Sequence, residues 1–438
     1  MAETARQTAY RILMRCRKNG AWSENTISSE ISRAKLDGRD AALCSRIVLG
    51  VLQNRALLDF YIAGYCATPI HKLDPQVLDI LRLSAYQLTQ MDKIPVSAAV
   101  NEGVRLCKEN GLSRASGLVN AVLRKLADHR ENLPEVPGKG TAAYLATKYS
   151  HPLWLVEEYV AAYGYDFAEA ALGANNETPP VYAQSNPLRP MDLTEGLSAY
   201  DPRPTEVPGC YVLKSSAGIA ETEAFRQGGF YIQDLAAKLS AMVAGAAPGM
   251  TVLDVCAAPG GKSMAAAMAM NNEGRIISCD IHEKKLRLIR ENGERLGVTI
   301  LETRAMDART PEEDLRGIAD IVIADVPCSG LGVIRRKPEI REKSPEELDR
   351  LPEIQRAILE GEAACVKPGG VLLYSTCTVR QRENEDVVRE FLSRHGEFSL
   401  EPFELPLGIG EVPAGMFTFW PHLHGTDGFF VCKMRKTV

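Results

Sequence analysis

The informative stretch of this chain is Thr251-Val252-Leu253-Asp254-Val255-Cys256-Ala257-Ala258-Pro259-Gly260-Gly261-Lys262. It joins a short apolar run to a loop of small residues, and an Ala- and Met-rich segment follows it. Short apolar runs bounded by Gly or Pro are typical of buried parallel strands. Small loop residues let a ligand approach the backbone, and the start of the following helix offers unpaired N–H groups to an anion. The stretch therefore predicts a strand, a ligand-binding loop and a helix of an α/β domain.

Similar apolar runs recur downstream and alternate with segments of helical spacing. We predict strands at residues 251–255, 275–279, 299–303, 320–324 and 370–374, with helices between most of them. This alternation is typical of a doubly wound α/β sheet, here assigned to a C-terminal domain at residues 241–438. A chain of 438 residues has room for two or three domains.

The front of the chain has a different pattern. Apolar residues recur at helical spacing through residues 4–130, and Asp74-Pro75 is typical of an N-cap followed by proline at the first helical position. We therefore predict an all-α domain at residues 1–135. Proline and glycine then mark a linker up to residue 140. A small α/β segment is predicted at residues 141–240.

Charge and cysteine usage restrict the partners and the compartment. Residues 1–150 hold 21 Lys and Arg against 14 Asp and Glu, whereas the rest of the chain holds 30 against 42. A basic front on an acidic chain favours an anionic partner such as nucleic acid. The 11 cysteines are scattered, without a C-x-x-C pair or a Cys/His cluster, so we predict no metal. We find neither a secretory segment nor a membrane-spanning apolar stretch, and we expect a cytoplasmic protein with no membrane partner.

Three kinds of ligand compete for the loop at residues 256–262. A dinucleotide site needs G-x-G-x-x-G, and only Gly260-Gly261 is present. A P-loop needs a glycine where Cys256 stands, although Gly261-Lys262-Ser263 supplies its end. S-adenosylmethionine fits best, with its ribose on Asp280 at the next strand end and its adenine near Asp307. The alternative for each carboxylate is an ordinary surface position at a strand end.

Two cysteines follow apolar runs at predicted strand ends, Cys328 after residues 321–324 and Cys377 after residues 371–374. Ligands of open α/β sheets lie outside the carboxyl ends of the strands, so both thiols are expected to face one crevice. The alternative is a pair of buried structural cysteines. If the methyl acceptor is carbon 5 of a pyrimidine, a thiolate added at carbon 6 makes carbon 5 nucleophilic, and a second group helps to expel the thiol. Asp325, beside the ring, would share a proton with ring nitrogen 3, whereas methylation of an amine or an oxygen needs no thiol.

These segments resemble the Sun (Fmu) family of RNA 5-methylcytosine methyltransferases. The resemblance is carried by residues 254–262, by Asp325 with Pro327-Cys328-Ser329-Gly330, by Thr376-Cys377-Thr378 and by the ending Gly425-Thr426-Asp427-Gly428-Phe429-Phe430. The helical front resembles the NusB-like RNA-binding domain of the bacterial 16S rRNA members, so the likeness covers nearly the whole chain. It implies a Rossmann-like, S-adenosylmethionine-dependent catalytic domain that releases S-adenosylhomocysteine. It also implies that the partner is RNA, either 16S rRNA or an assembling small ribosomal subunit. We expect the protein to be a monomer.

The resemblance further implies roles for individual residues. Cys377 would be the nucleophile and Cys328 would assist release of the product. The implied cofactor site comprises Cys256, Ala257, Ala258, Pro259, Gly260, Gly261, Lys262, Asp280, Asp307 and Asp325. The basic run Arg335-Arg336-Lys337 is a predicted phosphate contact near the target base, with an ordinary solvated turn as the alternative. The family commonly has Arg-Val-Asn where this chain has Gln184-Ser185-Asn186, which leaves the RNA contacts of the middle segment open.

Other function classes remain as alternatives to 16S rRNA methylation. One is a 5-methylcytosine methyltransferase that acts on tRNA or another RNA. A non-catalytic NusB-like RNA-binding protein would need neither the glycine loop nor the thiol pair. A small-molecule methyltransferase would not need the basic helical front.

Overall fold

The computed structural model describes residues 3–19 and 22–437. The chain divides into two compact units, unit 1 with residues 1–177 and 334–343, and unit 2 with residues 178–333 and 344–438. This division groups residues 141–177 with the front helices, and it also places a short segment from the second half of the chain in unit 1. Separate domains at 1–135, 141–240 and 241–438 therefore stay a prediction.

Unit 1 is helical, as the spacing of its apolar residues predicts. Its longer helices are α1 (Ala5–Asn19), α2 (Ser23–Ala34), α3 (Gly38–Gln53), α4 (Arg55–Tyr65), α5 (Pro75–Gln90), α6 (Val96–Glu109), α7 (Ser116–Asp128), α8 (Ala142–Lys148), α9 (Leu153–Tyr163) and α10 (Tyr165–Ala174). The core collects the apolar faces of α1 to α7, and α5 is buried along most of its length. Asp74 caps α5 by accepting the N–H of Gln76, and Pro75 occupies the first turn, which confirms the predicted helix start.

The segment 334–343 is held within unit 1 by Arg341. This buried guanidinium donates to the carbonyl oxygens of Gln53, Ser150 (3.0 Å) and Asn175 (3.3 Å), and to the side chain of Asn176 at 2.5 Å. Burial lowers the pKa of Arg341 to about 9. Because acceptors from three separate parts of the chain surround one buried cation, the segment is an integral part of the helical unit.

Membrane-spanning segments were sought among residues 3–19 and 22–437. No single helix there is long and apolar enough to cross a bilayer. The pair α3 and α4, which is bent by 81°, meets the requirement by combined length and composition alone.

Unit 2 begins with a small antiparallel sheet. Its strands are β1 (Val181–Ser185), β2 (Arg203–Pro204), β3 (Cys210–Leu213) and β4 (Phe230–Ile232), in the order β2-β3-β1-β4. The short helices α11 (Leu193–Gly196) and α12 (Glu223–Arg226) accompany it. Phe230 and the apolar side chains of β1 and β3 form its core.

The large sheet of unit 2 contains the predicted strands. Its strands are β5 (Thr251–Asp254), β6 (Arg275–Asp280), β7 (Leu301–Ala305), β8 (Ala319–Asp325), β9 (Val366–Thr376), β10 (Phe398–Leu400), β13 (Met416–Phe419) and β14 (Phe429–Lys436), while β11 (Phe403–Leu405) and β12 (Gly410–Val412) form a separate pair. The order is β10-β14-β9-β8-β5-β6-β7, with β13 beside β14. Strands β5 to β9 are parallel, whereas β14 is antiparallel to β9. The predicted strand at 299–303 lies two residues too early, and that at 370–374 covers only part of β9.

Helices cover the sheet and bring the chain back between its parallel strands. They are α13 (Leu235–Val243), α14 (Gly261–Ala269), α15 (Glu283–Leu296), α16 (Pro345–Leu348), α17 (Leu351–Ala363), α18 (Glu385–Arg394) and α19 (Pro421–His424). The interiors of β5, β6, β8 and β9 are almost continuously apolar because both faces of the sheet are buried. The carboxyl ends of these strands bring the loops after β5, β6, β8 and β9 to one edge of the sheet, where the site lies.

Candidate active site

The loop after β5 has the close-packed backbone that its small residues predict. Gly260 has φ +102°, a conformation that favours glycine, and it immediately precedes α14. A Cβ at Gly261 would lie 2.9 Å from Nε2 of Gln233. Oε1 of Gln233 is buried without a hydrogen-bond partner. A ligand can therefore reach the backbone at the start of α14 only through a narrow gap. Oε1 of Gln233, beside this gap, can accept a further hydrogen bond.

Asp254, at the end of β5, holds the start of α14 in place through a hydrogen bond. Its fully buried carboxylate accepts a hydrogen bond from Ser263 Oγ at 2.6 Å, and Ser263 also lies 2.7 Å from Ser278 Oγ on β6. Burial raises the pKa of Asp254 to about 7, although the Ser263 hydrogen bonds oppose this shift. Asp254 therefore connects β5, β6 and α14 and has a structural role beneath the site.

The two carboxylates predicted to bind the nucleoside differ in their surroundings. Asp280 ends β6, is 7% exposed, and accepts the N–H of His282 at 2.8 Å, while Lys285 Nζ lies 3.8 Å away. Asp307 lies after β7 and is paired with Arg309 at 2.6 Å, and the hydrogen bond from Arg309 lowers the pKa of Asp307. The backbone N–H of His282 thus orients the Asp280 carboxylate at the end of β6, whereas the Asp307 carboxylate already forms an ion pair with Arg309.

Lys262 connects the loop to the third carboxylate, Asp325. The Lys262 ammonium is buried, lies 2.6 Å from Asp325 Oδ2, and sits 4.8 Å from the centre of the Phe429 ring. The other carboxylate oxygen of Asp325 accepts from Ser375 Oγ at 2.9 Å, because Asp325 and Ser375 are register partners of β8 and β9. Both oxygens of Asp325 are therefore oriented. The sequence predicts that Lys262 belongs to the cofactor loop, but it does not predict that the Lys262 ammonium pairs with Asp325.

The two thiols lie together at the ends of β8 and β9. Sγ of Cys328 is 3.2 Å from Sγ of Cys377, and both side chains are partly exposed. The hydrogen bond with Cys377, followed by burial and by the charges of Cys377 and Glu383, raises the pKa of Cys328 well above its usual value. Either sulfur can be the donor of this contact, and the raised pKa of Cys328 favours its S–H form as the donor to Cys377. The two thiols lie side by side, as expected, while the shared crevice and their separate roles stay predictions.

Two glycines shape this edge: Gly428 of the family-like ending, and Gly332, which the motif analysis did not single out. Gly332 donates its N–H to the carbonyl of Cys377 at 3.0 Å and accepts the N–H of Gly428 at 2.8 Å. A Cβ at Gly332 would lie 1.9 Å from the carbonyl oxygen of Gly428. The loops that carry Cys328 and Cys377 and the ending at 425–428 can approach one another only because these positions lack side chains.

Substitution at Gly332 is therefore expected to be costly. Gly332→Ala should lower the free energy of unfolding of unit 2 by about 1–3 kcal/mol or more, because the new methyl group meets backbone rather than a flexible side chain. Gly396→Ala is the matched control, because a Cβ there meets nothing within 4 Å. Urea unfolding of both variants tests the prediction, and equal midpoints would contradict it.

The predicted RNA contacts lie in segment 334–343 of unit 1. Arg335 is only 4% exposed, so its side chain presents little surface to a phosphate. Arg336 and Lys337 are partly exposed, and Lys337 Nζ lies 5.7 Å from the ring centre of the exposed Trp22. The contact between Lys337 and Trp22 was not predicted, because nothing in the sequence around Trp22 indicates which distant residues lie beside it. RNA contact by these residues stays a prediction.

Gln184 differs from the family pattern and Asn186 matches it. Both side chains are buried. Gln184 donates to the carbonyl of Gln233 at 3.1 Å. Asn186 donates to the carbonyls of Gly228 (2.7 Å) and Leu296 (2.8 Å). Both side chains therefore hold the small sheet against neighbouring segments of unit 2.

The fold and the site together define a Rossmann-like methyltransferase. The residues present fit S-adenosylmethionine, because a small-residue loop, a helix start and a strand-end carboxylate surround the position where such a cofactor binds, with the buried oxygen of Gln233 still available. Gln233 was not predicted as part of this site.

Comparison with known proteins gives the family. The family model described as 16S rRNA methyltransferase RsmB/F matches residues 241–435, and the NusB family model matches residues 3–128. The probable ribosomal RNA small subunit methyltransferase B of Bacillus subtilis is 38% identical, with 99% of each chain covered. The protein of the same description from Synechocystis is 32% identical over 99% of each chain. The chain belongs to the 16S rRNA methyltransferase RsmB/F family.

A solved structure has the same fold over nearly the whole chain. The protein in the crystal structure of PH0851 is 26% identical in sequence to this chain. The match covers 99% of this chain and 98% of that one, with a TM-score of 0.82. The predicted resemblance to the Sun (Fmu) family, the NusB-like front and the Rossmann-like catalytic fold are confirmed.

Proposed function

We propose that this protein transfers a methyl group from S-adenosylmethionine to carbon 5 of a cytosine in 16S rRNA, through a covalent bond between Cys377 and carbon 6. The observation that carries the proposal is the thiol pair, 3.2 Å apart at the strand ends beside Asp325. The similar proteins described as small subunit rRNA methyltransferases support the choice of substrate. Such an enzyme would act in the cytoplasm, and we expect it to act as a monomer.

The chemistry requires a nucleophile and a group that removes a proton. Addition of the Cys377 thiolate to carbon 6 breaks the aromatic conjugation and makes carbon 5 nucleophilic. Bound S-adenosylmethionine supplies the methyl group to that carbon. The proton on carbon 5 must then leave, and its electron pair re-forms the ring double bond as the carbon–sulfur bond to Cys377 breaks.

The contact between the thiols gives each a role in this sequence. Before the reaction, the Cys328 S–H donates to the sulfur of Cys377 and stabilises its thiolate. Once Cys377 is bonded to carbon, the hydrogen bond that contributes most to the raised pKa of Cys328 is lost. The pKa of Cys328 then falls, so its thiol can lose its proton to solvent, and we assign the removal of the carbon 5 proton to the resulting Cys328 thiolate.

Asp325 and Lys262 would orient the target ring. With its carboxylate held by Lys262 and Ser375, Asp325 can accept a hydrogen bond from ring nitrogen 3 once that nitrogen has taken up the proton displaced from the Cys377 thiol. The Lys262 ammonium, 2.6 Å from Asp325 Oδ2, fixes the orientation of that carboxylate. The remaining cofactor contacts are assigned to the loop 256–261, with Asp280 on the ribose and Asp307 near the adenine.

RNA contact through segment 334–343 gives a testable prediction. Lys337→Ala should weaken RNA binding and reduce the slope of log affinity against log salt by about one, as expected for the loss of one phosphate contact. Lys139→Ala, at an exposed lysine elsewhere in unit 1, is the control. Filter binding at several salt concentrations measures both slopes. Equal slopes for Lys337→Ala and the unsubstituted protein would remove Lys337 from the interface.

The function itself is tested by bisulfite sequencing of RNA from cells with and without the gene. A single 16S rRNA cytosine that loses its protection in the deletion strain is the expected result. Loss of protection in tRNA instead would transfer the proposal to that substrate. No change in any RNA, together with no methyl transfer by the purified protein, would leave a non-catalytic RNA-binding role.

A further inference from the structure

Glu383 and Asn384, two consecutive residues that contact the thiol-bearing loops, have no part in the mechanism proposed above. Glu383 ends a short 3-10 helix (Gln381–Glu383), and Asn384 is the N-cap residue of α18. Both are 0% exposed. A carboxylate this deeply buried is unfavourable unless hydrogen bonds and charges compensate it, so its presence next to the thiols calls for an explanation.

Glu383 and Gln355 hold the backbone on both sides of Cys328. One carboxylate oxygen of Glu383 accepts the N–H of Ser329 at 2.8 Å and the Gln355 side-chain amide at 3.1 Å. The same Gln355 amide donates to the carbonyl of Pro327 at 3.0 Å. Pro327 and Ser329 flank Cys328, so its main chain is fixed from both sides.

Asn384 does the same for Cys377. Its side-chain oxygen accepts from Thr376 Oγ1 at 2.6 Å, and its amide donates to the carbonyl of Thr378 at 3.0 Å. A hydrogen bond of 2.7 Å from Ser329 Oγ to Thr378 Oγ1 joins the two cysteine loops directly. Neighbouring residues of one rigid turn thus hold the segments that carry both thiols.

We propose that Glu383 and Asn384 are positioning residues that together set the distance and orientation of the two thiols, with the charge of Glu383 holding Cys328 as a neutral donor until Cys377 has reacted. The proposal rests on the proposed thiol chemistry. An apolar pair could pack here equally well, but it would leave the peptide groups beside Cys328 and Cys377 without partners.

The first test needs neither RNA nor cofactor. The groups that face Cys328 electrostatically are Cys377, Glu383 and Tyr374, and Arg380 lies 3.9 Å from Glu383. Glu383→Gln keeps an acceptor for both donors but removes the negative charge that contributes to the raised pKa of Cys328. Iodoacetamide alkylation of the full chain, followed at Cys328 by peptide mass spectrometry across pH, should therefore move to lower pH. Asp386→Asn, the same change at an exposed position of α18, should leave the profile unchanged.

The second test measures turnover. Glu383→Gln and Asn384→Asp should lower kcat for RNA methylation by up to about 100-fold, because small displacements of reacting groups carry such losses, while KM for RNA changes little. Asp386→Asn should behave like the unsubstituted protein. If Glu383→Gln fails to fold, Gln355→Met removes the bond to Pro327 while retaining the charge, and it should show the same loss of kcat.

The outcomes separate the two proposals. An unchanged alkylation profile in folded Glu383→Gln would overturn the role of the Glu383 charge, and a rise in KM with kcat unchanged would overturn the positioning role. If the unsubstituted protein methylates no RNA, the proposed function fails, while the alkylation profiles still decide whether Glu383 controls the Cys328 thiol.

Discussion

Cys328→Ala is expected to accumulate a covalent complex with its RNA, and Cys377→Ala is expected to form none. Addition and elimination are separate steps, and only Cys377 is proposed to bond to carbon 6. Without Cys328, the adduct forms and accepts the methyl group, but the carbon 5 proton leaves slowly. Loss of the nucleophile should lower turnover by on the order of 10⁶-fold, the scale found when a covalent nucleophile is removed from other enzymes.

Denaturing gels with labelled RNA distinguish the variants, because a covalent complex survives denaturation. Cys66→Ala, which removes a partly exposed thiol of unit 1, is the matched control and should turn over normally. Trapping in Cys377→Ala alone would exchange the two roles. Full activity in both variants would show that the thiols only pack against one another.

The sequence predicts the parts of this site that depend on local pattern. Strand, loop and helix follow one another between residues 251 and 269 because an apolar run, small residues and an Ala-rich segment each favour one conformation. Parallel strands that end at the same edge bring Cys328 and Cys377 together, so their proximity could also be predicted.

The parts that depend on tertiary partners were not predictable. Nothing near residue 383 in the sequence indicates a carboxylate bound to the backbone beside Cys328, because its partners lie 28 and 54 residues away along the chain. Arg335 resembles its neighbours in a basic run, yet it is buried while they are partly exposed. Burial of one cation in such a run depends on surrounding helices, and no local pattern reports it.

The antiparallel edge of the large sheet was missed for a related reason. Strand β14 was recognised only as a family-like ending, although it pairs with β9 from Thr376 back to Val371. A strand at the end of a chain can add to either side of a sheet in either direction, and only packing decides between these arrangements. Its place beside β9 puts Phe429 next to Lys262, which is part of how the site is closed.

Asp280→Ala is expected to weaken S-adenosylmethionine binding severely. The carboxylate lies at the end of β6, nearly buried, with one oxygen held by the N–H of His282, so it can offer a charged acceptor to ribose hydroxyls. Hydrogen bonds to a charged group contribute about 1.5–3 kcal/mol each, so the dissociation constant should rise by about ten- to a hundredfold. Isothermal calorimetry with the purified full chain measures it directly.

Asp307→Ala provides the contrast within the same pocket. Its carboxylate is already paired with Arg309, so a nucleoside gains less from it and its loss should cost less affinity than the loss of Asp280. Asp280→Asn, which keeps the shape but removes the charge, should fall between the unsubstituted protein and Asp280→Ala. Because a strand-end carboxylate binds by charge as well as by shape, an Asp280→Ala protein that remains folded and binds the cofactor with unchanged affinity would place the ribose elsewhere.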